Sequence, residues 1–570
     1  MYILGISCYY HDSAAALIKD GIVVACSDEE RFSRIKHDSS FPKKAIQFCL
    51  EKEGITSKDL DFVVFYEKPF IKFERILLTS LYYAPKSLSL FRESMKEWFF
   101  DKLWVKSHII SELKIPSQKL LFSEHHLSHA ASSFYCSPFK ESAVLSIDAV
   151  GEWTTTSWGI AKGNRLDLKE EIKFPNSLGL LYSAFTVFAG YEANEGEYKL
   201  MGLAPYGKAK YKKEISNLID VKKDGSFSLK REYFSYQYDL TGVYTKKFKE
   251  VFGDRNVMPD KVIEYYADIA ASIQSVFEDM LLKIVDYIYS KTTTPNICFA
   301  GGVALNSKAN WLILKKTKFK NLYIQPSAGD SGGAIGAGLY IYHHVLGNNR
   351  SYMMDRVYFG TSNDNNEIEK FLLTKKISFV KSKNDKDLID QTVDVLSRGK
   401  VVGWVQSQAE WGPRALGHRS ILADPRFSYM RDIVNTKIKF REAFRPFAPS
   451  VIEERADEFF DLGPYKNQLP LRFMQLVVPV AKKKRDKLGA VTHVDGTARP
   501  QLVDKETNPL YHRLIHEFGL KTGVPVLLNT SFNLKGEPIV NTYEDAYKTF
   551  IKSGIDVLVL GKHIIKKSKK

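Results

Sequence analysis

Apolar and polar positions open the chain in alternating blocks. Ile3 to Ser7 is a short apolar run, Tyr9 to Ser13 a polar stretch, Ala14 to Lys19 a second apolar run, Asp20-Gly21 a turn pair and Ile22 to Ala25 a third run. Runs separated by an Asp-Gly pair predict a strand, a loop and then a hairpin. The unit recurs about 140 residues later as a strand Ala143 to Ile147, a polar loop Asp148 to Trp153, a strand Thr154 to Ala161, the turn Lys162-Gly163-Asn164 and a further strand opening at Arg165. Such a repeat predicts a duplicated nucleotide-binding fold, each loop offering backbone amides to phosphate across a shared cleft. Hairpins are common, so chance would give the same local pattern; the later motifs have to decide.

Between the copies, Glu29 to Phe32 and Lys36 to Asp38 read as a charged loop, Asp61 to Tyr66 as a strand and Leu88 to Leu113 as mostly helical. Gly196 to Gly207 is punctuated by glycines and Pro205, which predicts a shaped loop. Val262, Tyr266, Ile269, Ile273, Val276, Met280, Ile284 and Ile288 recur at three-to-four spacing and predict a long helix with one buried face. Two strands then end in glycine-rich junctions, Ile297 to Ala300 before Gly301-Gly302 and Tyr323 to Pro326 before Gly329 to Gly338. Glycine there lets a base or phosphate approach the backbone, and a helix amino end favours negative charge. After His344 the pattern changes: a polar connector at Gly347 to Ser351 precedes a new α/β pattern near Glu367, which places a boundary between domains 1–354 and 355–570.

A length of 570 residues with 44% hydrophobic and 13% aromatic content suffices for a large core in two or more domains. The net charge of +16 suggests anionic partners, whether nucleotides, phosphates or nucleic acid. No apolar run approaches a membrane span, and no basic residue precedes Lys19, so neither a membrane anchor nor a secretory signal is expected. Cys8, Cys26, Cys49, Cys136 and Cys298 are odd in number and lack CxxC spacing, which speaks against a disulfide framework or a thiolate zinc site and for a reducing cytoplasm.

Candidate chemistry begins at Glu124 to Ala130, with three histidines inside five residues. On a helix His125 and His129 share one face, the spacing that two metal-ligating imidazoles need. The zinc-protease pattern needs Glu directly after the first His, where this chain has His126. Taken alone, the stretch also fits a helix of half-buried histidines. Asp148 and Asp330 are carboxylates that could complete a site, and a mixed His and carboxylate set suits iron, manganese or zinc better than calcium or magnesium. In the second domain Arg414 and Arg419 lie in an apolar segment, followed by Lys437, Lys439, Arg441 and Arg445. Lys437, Lys439 and Arg441 alternate as on a strand, which predicts three cations on one face of a polyphosphate pocket. Thr492 to Gln501, including Arg499, and Asn529 to Asn533 add polar side chains beside a strand at Val524 to Leu528.

The segments His11-Asp12-Ser13-Ala14-Ala15, Glu29-Glu30-Arg31-Phe32, His125-His126-Leu127-Ser128-His129-Ala130, Gly196 to Gly207 and Ala300 to Asn306, with several in the C-terminal third, span nearly the whole chain. Together they closely resemble the O-carbamoyltransferases of the NodU and CmcH family. The resemblance implies an α/β protein with a duplicated actin- and Hsp70-like (ASKHA) domain at 1–354 and a YrdC-like α/β domain at 355–570. It further implies formation of carbamoyladenylate from carbamoyl phosphate and ATP in the second domain, and transfer to a hydroxyl of a small-molecule acceptor in the first. By the same resemblance His11 is the catalytic base. His125, His129, Asp148 and Asp330 hold Fe(II) or another divalent transition metal. Lys36, Gly202, Gly301, Gly302, Asn306 and Gly332 meet the adenylate. Arg414, Arg419, Lys437, Lys439, Arg441, Arg445, Arg499, Ser531 and Asn533 meet ATP, used with Mg, and carbamoyl phosphate. The acceptor pocket is expected along Glu67 to Phe100, and the oligomeric state stays open, a homodimer included. The rival reading is a tRNA-modifying threonylcarbamoyl-type transferase. It would want a basic, aromatic-rich arm, and the only concentrated basic tract is Lys566 to Lys570, so nucleic acid is not an expected partner. A non-enzymatic ATP module would have no use for the histidine pair or a second cationic domain.

Overall fold

The computed structural model describes residues 1–100, 102–239, 242–254 and 264–567. They divide into two compact units, Met1–Cys26 with Ser39–Met354, and Ser27–Asp38 with Asp355–Lys570.

The first unit contains the predicted repeat as two five-stranded sheets of one topology. In the first sheet the order is Ile22–Asp28, Ala14–Lys19, Tyr2–Ser7, Phe62–Phe65, Leu120–Phe122; in the second it is Arg165–Lys173, Thr154–Lys162, Glu141–Ile147, Asn296–Ala300, Asn321–Ile324. Each central strand pairs antiparallel with its hairpin neighbour (Gly5 opposite Ala16, Leu145 opposite Trp158) and parallel with the strand on its other side (Gly5 opposite Val64, Leu145 opposite Phe299). This duplicated order is the actin- and Hsp70-like arrangement expected from the sequence. The strands are buried almost throughout, as continuous apolar runs require.

Helices His125–Phe134 and Asp330–Tyr340 pack on each other at backbone contact distance. A Cβ on Gly336 would lie 1.8 Å from the Ser128 carbonyl oxygen, and one on Gly5 would lie 1.8 Å from that of Ala334. The small residues of Asp330 to Gly338 therefore serve close packing, and they set the opening residues of the two helices, His125 and Asp330, side by side.

The long helix is present as Glu264–Lys291, its buried face formed by Tyr266, Ile269, Ile273, Val276, Met280, Ile284 and Ile288; Val262 lies outside the described residues. Gly196 to Gly207 departs from the expected loop. It forms a helix at Glu197–Leu203 and a tight turn at Ala204–Tyr206, because Pro205 sits at the start of the new turn, where its missing N–H costs nothing. Gly207 lets the chain approach the long helix, a Cβ there falling 2.0 Å from the Ala267 carbonyl oxygen.

The charged stretch after Asp28 is also helical, at Glu30–Ser33, and belongs to the second unit. Arg31 donates to the Gly412 carbonyl (2.8 Å), and Arg34 to those of Ile539 (2.7 Å) and Pro538 (2.8 Å). The second unit is built on an eight-stranded mixed sheet in the order Val380–Lys381, His563–Lys566, Val557–Leu560, Val402–Val405, Arg419–Ala423, Val526–Ser531, Ala448–Ile452, Gln501–Val503. Helices Asp385–Ser397 and Pro509–Thr522 bury Leu388, Val393, Leu514 and Phe518 against Trp404, Leu422 and Leu527 of that sheet. No helix among the described residues is long and apolar enough to cross a membrane, and no disulfide joins the five cysteines, all of them buried.

Candidate active site

The carboxylate and imidazole set converges in the first unit. His125 Nε2 and His129 Nε2 stand 3.0 Å apart, and Asp148 Oδ2 lies 3.2 Å from the first and 3.0 Å from the second. Asp330 Oδ1 lies 3.7 and 3.5 Å from the same two nitrogens. Helical spacing sets the two rings on one face, the loop after Glu141–Ile147 supplies Asp148, and the helix contact at Gly336 brings in Asp330. Burial alone would raise the Asp148 carboxyl, but hydrogen bonds from His125 and His129 hold it well below the usual range. Burial likewise works to lower the His129 imidazole, yet Asp148 and Asp330 push it up to about 9.

Two observations test whether this set fits a metal. The buried Asp330 Oδ2, His125 Nδ1 and His129 Nδ1 have no hydrogen-bond partner, so the cluster is not closed by hydrogen bonding. The donors are nitrogen and oxygen on a rigid helix pair, and Glu67 Oε2 stands 3.8 Å from His125 Nδ1, the side on which a ligating imidazole wants a carboxylate. The set fits a divalent transition metal. His126 turns away and bonds Ser157 Oγ at 2.8 Å; burial drives its pKa well down, which leaves it neutral.

His11 Nδ1 lies 2.8 Å from Asp12 Oδ2. Burial works to lower its imidazole, but the hydrogen bond and charge of Asp12, with Asp330 and Glu197 behind them, push it up to about 9.

The glycines divide by role. Gly302 borders the carboxylate, since a Cβ there would lie 3.0 Å from Asp148 Oδ1. Gly301 (φ 89°) and Gly332 are needed by the backbone itself, their Cβ positions falling 2.2 Å from the Ile147 and 2.0 Å from the Ser327 carbonyl oxygens. Asn306 is occupied in capping helix Ser307–Lys316, accepting from Ala309 N at 3.1 Å and pairing with Gln274. Gly202 lies within helix Glu197–Leu203. Lys36 belongs to the second unit.

Residues that the sequence did not single out complete the surroundings. Glu152 accepts from His125 N (3.0 Å) and Lys68 N (2.9 Å), and Lys72 Nζ is 2.7 Å from Glu67 Oε2. Lys72 and Arg75 sit one helical turn apart, a spacing that in sequence reads as a solvated charged face.

In the second unit the expected cations are sorted by the fold. Burial first, then the charges of Arg414, Arg441 and Arg445, hold the Arg499 guanidinium well below its usual value. Lys439 is likewise pushed well down by burial, with Arg441, Arg445 and Lys36 adding to it. Cations that repel one another this way form a site for an anion. Lys439 Nζ also donates to the Ser531 carbonyl (2.8 Å), Asn533 carbonyl (2.9 Å) and Asn533 Oδ1 (2.6 Å), so Ser531 and Asn533 are held around the lysine. Two expectations fail. Val434–Lys439 is a wide helical turn closed by Phe440 at φ 48°, not a strand, so Lys437 is exposed while Lys439 is buried. Arg419 is 0% exposed and directs Nε, Nη1 and Nη2 at the carbonyls of Asn541 (3.0 Å), Gln406 (2.6 Å) and Thr361 (3.0 Å), so it braces the backbone. Burial lowers it to about 10.

Two family models match the chain, Carbamoyltransferase N-terminus over residues 2–339 and Carbamoyltransferase C-terminus over residues 393–567. An uncharacterized protein of Synechocystis sp. is 47% identical over 100% of this chain and 97% of its own length. Nodulation protein NolNO of Sinorhizobium fredii is 36% identical over 98% of this chain and 79% of its own. The 3'-hydroxymethylcephem-O-carbamoyltransferase of Amycolatopsis lactamdurans is 28% identical over 78% of this chain and 80% of its own. With both halves matched in order and a buried imidazole and carboxylate centre in one unit and a cationic site in the other, the chain belongs to the carbamoyltransferase family.

Proposed function

We propose that the chain is an ATP-dependent O-carbamoyltransferase that makes carbamoyladenylate from carbamoyl phosphate and ATP in its YrdC-like second domain, and carbamoylates a small-molecule hydroxyl in its first. The observation that carries this reading is the segregation of two chemistries: the imidazole and carboxylate cluster lies wholly in one unit, and the crowded arginines lie wholly in the other.

Carbamoyl phosphate first loses inorganic phosphate to water, leaving carbamate, a poor acyl donor because its oxygen leaves badly; the carbamate oxygen then bonds to the α-phosphorus of ATP, the bond from that phosphorus to pyrophosphate breaks, and the carbamoyl group gains AMP as a good leaving group. The charge that builds on the phosphates during that exchange is met by Arg414, Arg441, Arg445 and Arg499, with Lys36 nearby. Lys439 acts one step back, holding Ser531 and Asn533 in shape.

In the first unit His125, His129, Asp148 and Asp330 would hold Fe(II) or another divalent transition metal, which when bound supplies a Lewis acid for a phosphate or carbonyl oxygen. Gly302 leaves Asp148 uncovered on the ligand side. Asp12 engages His11 Nδ1 and fixes the ring, so the acceptor proton is taken at Nε2. The acceptor oxygen bonds to the carbamoyl carbon, the bond from that carbon to the adenylate oxygen breaks, and AMP leaves. The relative named for 3'-hydroxymethylcephem supports a hydroxyl as the acceptor group.

The test is to incubate the full chain with ATP, Mg, carbamoyl phosphate and a transition metal and to measure pyrophosphate. Release is expected, and its absence in the wild type overturns the reading.

A further inference from the structure

Helix Pro69–Tyr82 is built inside out. Its buried positions are Pro69, Lys72, Arg75 and Ser80, while Phe70, Leu78, Leu81 and Tyr82 are 69%, 47%, 61% and 72% exposed. A helix placed only by the hydrophobic effect would do the reverse. Lys72 is accounted for by its ion pair with Glu67 and by the Tyr10 ring, 4.2 Å below its ammonium. Arg75 is not. It is 8% exposed, its Nε has no hydrogen-bond partner, and its guanidinium rests on the Phe174 ring at 5.1 Å. Glu67 and Glu152, whose charges reach it, are tied up by Lys72 and by the backbone amides of Lys68 and His125. Both carboxylates border His125, so the guanidinium lies beside the proposed transfer centre.

A buried arginine with an unmet donor is costly, and a fold keeps such a group where a ligand supplies the acceptor. The planar fork matches an oxyanion in two-pronged fashion. We propose that Arg75 recognises the acceptor: the molecule carbamoylated by this chain carries an anionic oxygen group, a carboxylate, sulfate or phosphate ester, near its reacting hydroxyl, and that group bonds to Arg75. This rests on the transferase reading above and names its substrate class.

The test uses the metal-loaded full chain. With its unmet Nε donor removed, Arg75→Met melts about 2 °C or more above the wild type. Sodium sulfate, compared with sodium chloride at equal ionic strength, raises the melting temperature of the wild type by at least about twice as much as that of the variant. The anion site of the second unit is common to both proteins and cancels. D-glucuronate shifts the wild type more than D-glucose does, and Arg75→Lys, which keeps the charge but loses the fork, narrows that difference. An Arg75→Met protein that melts below the wild type, or that responds to sulfate as the wild type does, overturns the proposal. Pyrophosphate release by the wild type is scored separately, so loss of the transferase reading is told apart from loss of the acceptor assignment.

Discussion

His125 Nε2 and His129 Nε2 point at one another across 3.0 Å and share one Asp148 oxygen. A proton on either nitrogen bridges that gap as an N–H···N hydrogen bond, and a metal ion in its place would take both lone pairs. Replacing His129 by Ala should therefore weaken binding of Fe(II), Mn(II) or Zn(II) by more than the roughly 10- to 100-fold typical of outer partners. Carbamoyl transfer should vanish with it while pyrophosphate release continues. Metal titration beside the two assays checks this, and loss of both activities would mean that the two steps are not divided between the units.

Gly336 is the contact point of the two helices that carry the centre. A methyl group at this position meets the Ser128 carbonyl at 1.8 Å and has to push the helices apart. Gly336→Ala should cost roughly 1–3 kcal/mol of stability in urea unfolding, and weaken metal binding although it touches no ligand. Unchanged metal affinity at reduced stability would show that the separation of the helices does not control the site.

The Asp12 and His11 pair gives a pH signature. The His11 pKa is raised from 6.5 in the free side chain to about 9. The sign follows: the pairing contributes stability that is complete below the unfolded pKa and is lost as pH rises through about 9. A base must be unprotonated to work, so transfer from preformed adenylate should increase up to about pH 9 and then level. Asp12→Asn should move that rise to lower pH; a profile unmoved by the substitution would remove His11 from the role of base.

Arg499 and Arg419 make a contrasting pair. Arg499→Ala should slow pyrophosphate release by about 100-fold or more, the usual cost of removing one donor from a developing charge, with little change in melting temperature. Arg419→Ala should unfold the second unit before any kinetic effect is read, because it strips several carbonyls of their donor. Circular dichroism melts beside the assay distinguish the two outcomes.

Much of this was legible in the sequence where one residue type at one spacing has one physical meaning. The hairpins at residues 3–25 and 143–165 announced the duplicated sheets, and the i, i+4 histidines placed both rings on one face. What stayed hidden was orientation. Arg414 and Arg419 stand in the same apolar segment, and nothing in the letters says that the second spends its guanidinium on carbonyls. The alternation of Lys437, Lys439 and Arg441 imitates a strand, whereas one left-handed residue, Phe440, turns it into a coil of backbone that buries one lysine and exposes another. Lys72 and Arg75 were missed for the opposite reason: paired charges one turn apart normally mark the wet side of a helix, and this one is worn the other way round.

The short helix Glu30–Ser33 and its neighbours belong to the second unit although the chain reaches them after only its first three strands. A gene split after Met354 would yield a C-terminal fragment without the partners of the Gly412, Pro538 and Ile539 carbonyls, and an N-terminal fragment trailing an orphaned arginine-rich loop. Neither half is a part that evolution or a molecular biologist could exchange by a single cut; a transplantable second unit has to carry its own copy of residues 27–38, spliced on by a linker.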